Sequence, residues 1–452
     1  MAVKWITSEH VRLEGLDSRD PIHAAILDRL SDRFVLENPV YWDARRFRRP
    51  CRGIPRRIEL FTMDDEGTAI LPRGARAAIR ATIAPLDPAE DDRTILPVAE
   101  PLRFDGQLRD YQEAAVIAAL AARDGVIQAP TGSGKTVVAL ALAARLATPA
   151  IILVHTSVLL EQTAERIRAF LGMEPGIIGG GRETIGRITV AMVQTLLRRD
   201  LSDIRDRFGL VMLDEAHHCP AETFKTVVRQ FPARYRIGLT ATPTRKDRLH
   251  PILYDVVGPI IHRVMPRTLV ESGSISPTEV IEVETEFEGA YRKNYARLIN
   301  RLVLDRARNA LVIESIIRHK GVRSLVLSER VAHCHLLAAA LAEKGLSVAC
   351  LTGEVPREAR DAVLQRFAFG EVNILVSTTA LVGEGFDLPV LDTVFLTVPN
   401  GNTAKTTQVL GRALRPHEGK LAGRIVDFVD ARVSLLRNQA QRRSKVYRGF
   451  GC

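Results

Sequence analysis

The string Ala129-Pro-Thr-Gly-Ser-Gly-Lys-Thr136 joins an apolar, strand-like run (Gly125 to Gln128) to a helix-like run (Val137 to Leu146). Few sequences constrain a fold as tightly. A strand that turns through glycines into a helix N-terminus points a row of backbone N–H groups, and the positive end of the helix dipole, at one spot. That spot is a phosphate cradle. Gly132 and Gly134 let the backbone approach the ligand, and Pro130, Thr131 and Ser133 complete the loop. Lys135 is placed to reach the β- and γ-phosphates, and the Thr136 hydroxyl to hold Mg²⁺. Ala129 stands where the pattern usually has glycine, and a residue this small still permits the tight turn.

A second string, Asp214-Glu215-Ala216-His217, ends another apolar run, Leu210 to Leu213. Asp214 offers a carboxylate to the metal, and Glu215 a second one to orient or deprotonate a water. The ordered pair of strings, each after a strand, indicates a nucleoside triphosphatase. The formal net charge of +10 makes an anionic partner plausible. Most basic residues are arginine, which suits bidentate phosphate contacts; a general coding bias explains the excess equally well. The 5 cysteines are scattered with no C-x-x-C, which argues for a reducing compartment without a disulfide framework. His217-His218-Cys219 overlaps the acidic string, and His333-Cys334-His335 falls in a helical run where neighbours point different ways, so neither reads as a metal site. With no signal peptide or membrane-length apolar run, a cytoplasmic, nucleoid-associated protein is expected, with no membrane partner.

A chain of 452 residues exceeds the roughly 250–300 residues that one core supports. Three regions separate by pattern. Residues 1–103 mix a helix-like stretch (Pro21 to Arg33) with strand-like runs (Ile58 to Met63, Thr68 to Leu71), and the polar stretch from Ala84 to Pro101 reads as a linker. Residues 104–265 alternate short β-type runs with longer helical ones, and residues 266–452 do so again, ending in a basic, helical tail. Such alternation implies parallel sheets covered by helices, so the fold class is α/β.

Read in order, the remaining strings resemble the DEAH-type superfamily 2 helicases, most closely the group of XPB-like and UvsW-like enzymes. Leu108-Arg109-Asp-Tyr-Gln112 resembles that group's adenine-reading element, and a Gln amide can both donate to and accept from an adenine edge. Val154 to Gln162 resembles motif Ia, Val193-Gln194-Thr195 the next strand-tracking motif, and Leu239-Thr-Ala-Thr-Pro243 motif III. Later, Leu325 to Arg330 resembles motif IV, Ser377 to Asp387 motif V, and Gln408-Val-Leu-Gly-Arg-Ala-Leu-Arg415 motif VI, with Val409 where the family usually has arginine.

The resemblance covers about residues 104 to 430. It implies two tandem RecA-like parallel-sheet domains; ahead of them, residues 1–103 are expected to form a small α+β accessory domain that is a candidate for nucleic-acid binding. It further implies ATP and Mg²⁺ as cofactors and Arg412 and Arg415 as arginine fingers reaching across a cleft. Gly385 and Asp387 join the ATP-binding set; His217, Thr240, Thr242 and Gln408 are the coupling residues; Gln194, Thr195, Ser328, Arg330, Thr378 and Thr379 grip the strand. The expected activity is ATP-dependent movement along, or unwinding of, DNA, single-stranded or branched. The alternatives are a translocase subunit serving a nuclease or repair partner, and an RNA helicase. Between Arg45 and Arg57 lie seven arginines with Phe47 among them and no acidic residue, a patch suited to a nucleic-acid backbone or to solvent.

Overall fold

The computed structural model describes residues 3–219, 222–242, 247–291, 294–383, 390–403, 406–407, 410–411 and 422–451. The chain divides into two compact units, Met1–Ala129 with Gly134–Arg263, and Pro130–Ser133 with Val264–Cys452. Among the described residues no helix is long and apolar enough to cross a membrane.

The first unit begins with a mixed five-stranded sheet, in spatial order Thr62–Met63, Ala69–Leu71, Val11–Glu14, Lys4–Thr7 and Ala89–Asp92. Helix Pro21–Phe34 starts where the Asp20 carboxylate accepts the Ile22 and His23 N–H groups and Pro21 presets the first turn. It buries the stripe Ile26, Leu30 and Phe34, spaced at one helical turn. The stretch from Ala84 to Pro101 departs from the expected linker. Ala89–Asp92 pairs in parallel with Lys4–Thr7, Ile95 bridges Ala233, and the Thr148 hydroxyl donates to the Pro97 carbonyl. The strand is Ala-Glu-Asp-Asp, with no β-branched or aromatic residue; backbone pairing alone makes it, so side-chain pattern could not mark it.

The same unit carries an eight-stranded sheet in the order Arg182–Thr184, Gly176–Gly179, Ile188–Met192, Ala150–Val154, Leu210–Asp214, Tyr235–Thr240, Asp124–Gln128 and Ile260–Arg263. All neighbours are parallel except the first pair. Strands covered on both faces read as unbroken apolar runs, and Ala150–Val154 is buried throughout. The N-terminal sheet shares one hydrophobic core with it: Trp5, Leu30 and Ile79 belong to the same buried cluster as Val126, Leu213 and Val256.

Charge fixes this junction. The Arg73 guanidinium, 1% exposed, donates to both Asp124 oxygens (3.0 and 2.7 Å) and to the carbonyls of Ser8, Ala233 and Arg234. Every one of its N–H groups is used. The next residue, Gly74, lies so close to the helix His250–Val256 that a Cβ there would sit 2.6 Å from the Tyr254 carbonyl and 2.5 Å from the Gly258 nitrogen. Arg33 adds a fork to Asp255 at 2.7 and 3.1 Å.

In the second unit six parallel strands run in the order Thr278–Glu284, Gly423–Val429, Thr393–Leu396, Ser324–Ser328, Ile374–Thr378 and Val348–Leu351. Thr278–Glu284, an edge strand with exposed acidic side chains, went unmarked by pattern. Two buried ion pairs brace the sheet. Arg308 meets Asp430 at 2.6 Å, and Arg443 holds Asp427, which also accepts from the Tyr447 hydroxyl at 2.7 Å. The second pair ties the basic tail, a helix over Ser434–Gly449, to the strand Gly423–Val429.

Asp124→Asn should destabilise the first unit by about 3–5 kcal/mol, because it strands a buried guanidinium. Arg76→Ala removes a partly exposed partner of the same carboxylate and should cost less than about 1 kcal/mol. Urea unfolding followed by circular dichroism reads both, and equal effects would contradict the assignment.

Candidate nucleotide site

In parallel sheets the ligand-bearing loops gather at the carboxyl ends of the strands. Strands Asp124–Gln128, Tyr235–Thr240 and Leu210–Asp214 are neighbours, with Thr240 opposite Gln128 and Leu239 opposite Asp214. The phosphate loop, the acidic string and motif III therefore emerge side by side. Gly132 (φ +89°) and Gly134 (φ +76°) occupy the left-handed region, as a loop folding back on its own helix requires. Helix Lys135–Leu146 opens at Gly134 without a side-chain cap, leaving its first N–H groups for an anion. The Lys135 ammonium reaches back to the Ala129 carbonyl at 3.4 Å, a weak contact that an arriving phosphate can outcompete.

The segment expected to read adenine lies against this loop. Gln112 is buried, its Oε1 accepts the Arg109 N–H at 3.0 Å, and its Nε2 sits 2.5 Å from where a Cβ on Gly134 would be. The Arg109 guanidinium lies 3.4 Å from the Tyr111 hydroxyl.

Asp214 and Glu215 are both enclosed, with opposite electrostatics. Burial, then the charge of Glu215, push the Asp214 carboxyl up to about 6, against the pull of Lys135. Burial also raises Glu215, but the Lys135 ammonium, the hydrogen bond from His217 and the nearby imidazoles outweigh it and hold that carboxyl at about 2. The pair thus has more negative charge than its surroundings neutralise. Asp214 and the Thr136 hydroxyl offer oxygen donors only, the chemistry that suits Mg²⁺, and a buried carboxyl raised by burial and by the Glu215 charge fits a divalent cation there. Among the described residues no group of three or more His, Cys, Asp or Glu side chains is arranged to hold a metal, so such a cation would depend on phosphate oxygens for further ligands.

Glu215 itself sits in the left-handed region (φ +49°, ψ +52°), an uncommon place for a side chain with a Cβ. This turn carries the chain to His217, whose Nδ1 lies 3.3 Å from Glu215 Oε2 and 3.1 Å from the Thr240 hydroxyl. Thr240 Oγ1 in turn accepts the Thr242 N–H at 3.2 Å. Three expected coupling residues, His217, Thr240 and Thr242, are therefore linked by hydrogen bonds, and the same His217 nitrogen stands within ion-pair distance of the candidate water-handling carboxylate.

Two further imidazoles stand beside His217. The His155 ring lies 4.2 Å from that of His218, tilted by 41°, and His218 lies 4.3 Å from His217; burial drives the His155 imidazole towards its neutral form. The adjacency in His217-His218 was visible, but only the pairing of strands Ala150–Val154 and Leu210–Asp214 brings His155 to them. Gln194 Nε2 donates to the His155 carbonyl at 3.1 Å, while Thr195 follows it in a single helical turn, Val193–Leu196.

In the second unit the strand-gripping expectation needs correction at Ser328. It is fully buried, its hydroxyl pairs with His333 Nδ1 at 2.9 Å and accepts the Arg330 N–H, so it organises a helix start and cannot meet a strand directly. Thr379 donates to the Ser328 carbonyl at 3.2 Å and Arg330 to Asn300 at 3.0 Å, while Thr378 ends its strand partly exposed. Gly385, Asp387, Gln408, Arg412 and Arg415 lie outside the described residues.

Residues 105–245 match the family described as Type III restriction enzyme, res subunit, and residues 307–417 the Helicase conserved C-terminal domain. The chain is similar to the DNA 3′-5′ translocase XPB2 of Sulfurisphaera tokodaii, with 29% identity over 354 residues, 68% of this chain and 79% of the relative. Similarity to the DNA 3′-5′ helicase XPB of Mycobacterium tuberculosis is also 29%, over 413 residues, 86% of this chain and 73% of that one. In fold, it resembles the DNA-bound ATP-dependent Type ISP restriction-modification enzyme LlaBIII, with a TM-score of 0.57 at 16% identity, over 78% of this chain and 30% of that one.

Gly134→Ala tests the cradle. The left-handed backbone costs an alanine about 1–2 kcal/mol, and the new methyl meets the Gln112 amide. Affinity for a fluorescent ATP analogue should fall roughly 5- to 30-fold, by the same strain energy.

Proposed function

Because this chain belongs to the superfamily 2 helicases, in the group of XPB-like and UvsW-like enzymes, we propose that its ATP-dependent helicase or translocase activity runs on DNA through the residues gathered at the phosphate loop. The observation that carries this reading is the convergence, at three adjacent strand ends, of Lys135, the Asp214–Glu215 pair and the chain His217–Thr240–Thr242. The Asp-Glu-Ala-His tetrad is the ground for the finer DEAH-type label.

In this reading Gln112 and Arg109 orient the adenine, and the loop N–H groups and Lys135 hold the phosphates. Thr136 and Asp214 hold Mg²⁺, which when bound neutralises charge on the phosphate oxygens. Glu215, kept ionised, orients the attacking water or takes its proton. His217 reads the state of Glu215 and passes it to Thr240 and Thr242, at the start of motif III. From the family resemblance, Arg412 and Arg415 serve as arginine fingers, an effect worth about 10³–10⁵ in rate in related NTPases. Gln194, Thr195 and Thr378 contact the strand through its backbone, so affinity should depend steeply on salt and little on sequence. A nuclease or repair partner, and an RNA track, remain alternatives that a substrate comparison decides.

Lys135→Ala should abolish DNA-stimulated ATP hydrolysis, and retained turnover would remove the phosphate-loop assignment. Glu215→Gln should bind the ATP analogue normally yet lose hydrolysis at least about a hundredfold, the lower end of what one general base contributes. The relatives are named 3′-5′ enzymes, so strand displacement should proceed on a 3′-tailed duplex and fail on a 5′-tailed one. Strong ATPase with no displacement on either would favour a translocase without intrinsic unwinding.

A further inference from the structure

The N-terminal segment between the paired strands Val35–Glu37 and Arg57–Glu59 has no part in the nucleotide site, yet it is elaborately built. Asn38 caps the helix Pro39–Arg46 by accepting the Val40 N–H, and its amide donates to the Pro55 carbonyl, closing the loop at its base. Glu37 accepts from both the Trp42 indole (2.6 Å) and Arg57 (3.2 Å), which fixes the tryptophan. The helix ends in a Schellman turn: the Arg49 N–H reaches the Ala44 carbonyl and Arg48 that of Arg45, with Arg48 in the left-handed position (φ +54°) usually kept for glycine.

This turn leaves Phe47 at the helix end, 61% exposed, with the guanidinium groups of Arg46 and Arg49 at 5.8 and 5.7 Å from its ring. Trp42, 42% exposed, carries Arg56 at 5.2 Å from its ring. The chain has only two tryptophans, and the other, Trp5, is buried. All seven arginines from Arg45 to Arg57 are exposed, and the one acidic residue of the loop, Asp43, faces Arg248 at 3.7 Å. Exposed aromatic faces among exposed guanidinium groups, of which Arg57 is paired with Glu37, match a ligand that alternates flat rings with phosphates.

We propose that residues 38–57 form a second DNA-binding surface, specific for unpaired strands, on which Phe47 and Trp42 stack bases while the arginines hold the flanking phosphates. A paired duplex buries its base faces and can offer this surface phosphates alone. The proposal rests on the reading that the track is DNA, but its test is independent of ATP turnover.

The full-length chain without nucleotide is titrated, by fluorescence anisotropy, against a labelled oligo-dT and a blunt duplex of equal length. Phe47→Ala should weaken oligo-dT binding between about fivefold and a hundredfold, the range of one base stack, while duplex affinity stays within about twofold. Phe47→Trp should restore binding and Phe47→Leu should not. Replacing Arg48, Arg49 and Arg52 together by serine should flatten the slope of log affinity against log salt by about 2 for oligo-dT. Because Phe47 is exposed, an unchanged urea midpoint is expected for its variants. Wild-type oligo-dT affinity in Phe47→Ala, or an equal loss on the duplex, would overturn the proposal. DNA-stimulated ATP hydrolysis, measured at saturating DNA on the same variants, reports separately on the motor reading.

Discussion

Arg73 and Asp124 set the geometry of the first unit. A guanidinium with all its N–H groups satisfied, held by a carboxylate on the first residue of the strand that leads into the phosphate loop, leaves that junction little freedom. Removing either partner would bury an uncompensated charge, a cost far above that of losing a surface pair. Gly74 adds a steric demand beside it, since any side chain there collides with backbone. The N-terminal sheet is thus joined to the nucleotide-binding sheet by charge, by shape and by a shared apolar core. The Phe47 loop and the strand Asp124–Gln128, which leads into the phosphate loop, consequently belong to one compact unit.

Arg236 shows the contrasting solution. It is equally buried and donates to the carbonyls of Val256, Glu9 and Phe231, with no carboxylate among those partners. Burial, reinforced by the charge of Arg73, lowers its guanidinium to about 9. Neutral carbonyls accept from its terminal N–H groups but cannot cancel its charge. The same physics operates at the candidate pair Asp214–Glu215 with opposite sign: burial penalises two carboxylates, Lys135 pulls on both, and only Glu215 has the added help of His217 and His155, so Asp214 is the one pushed up. A site with that imbalance favours a divalent cation.

Much of the nucleotide site was legible because its chemistry is local. A phosphate loop needs glycine, lysine and threonine at fixed offsets, and Asp214 and Glu215 are adjacent. The alternation of apolar runs also predicted the main parallel strands, since strands buried on both faces must be apolar throughout. Pattern failed where backbone alone makes the element, as at Ala89–Asp92, and where exposed acidic residues interrupt an edge strand, as at Thr278–Glu284. It also misjudged Ser328, because a hydroxyl at a strand end looks the same in sequence whether it faces outward or caps a buried imidazole.

The sequence by itself determined the reaction class, the order of the apolar, buried strands and their helices, and the density of arginine around Phe47, all of which depend on residue type and spacing. Only the tertiary structure decided that His155 stands beside His218, that Thr240 completes a link to Glu215, and that Arg73 clamps the N-terminal sheet to the strand of the phosphate loop. Those contacts join residues 23 to 63 positions apart. No periodicity encodes such separations; strand pairing and the requirement that every buried charge find a partner select them.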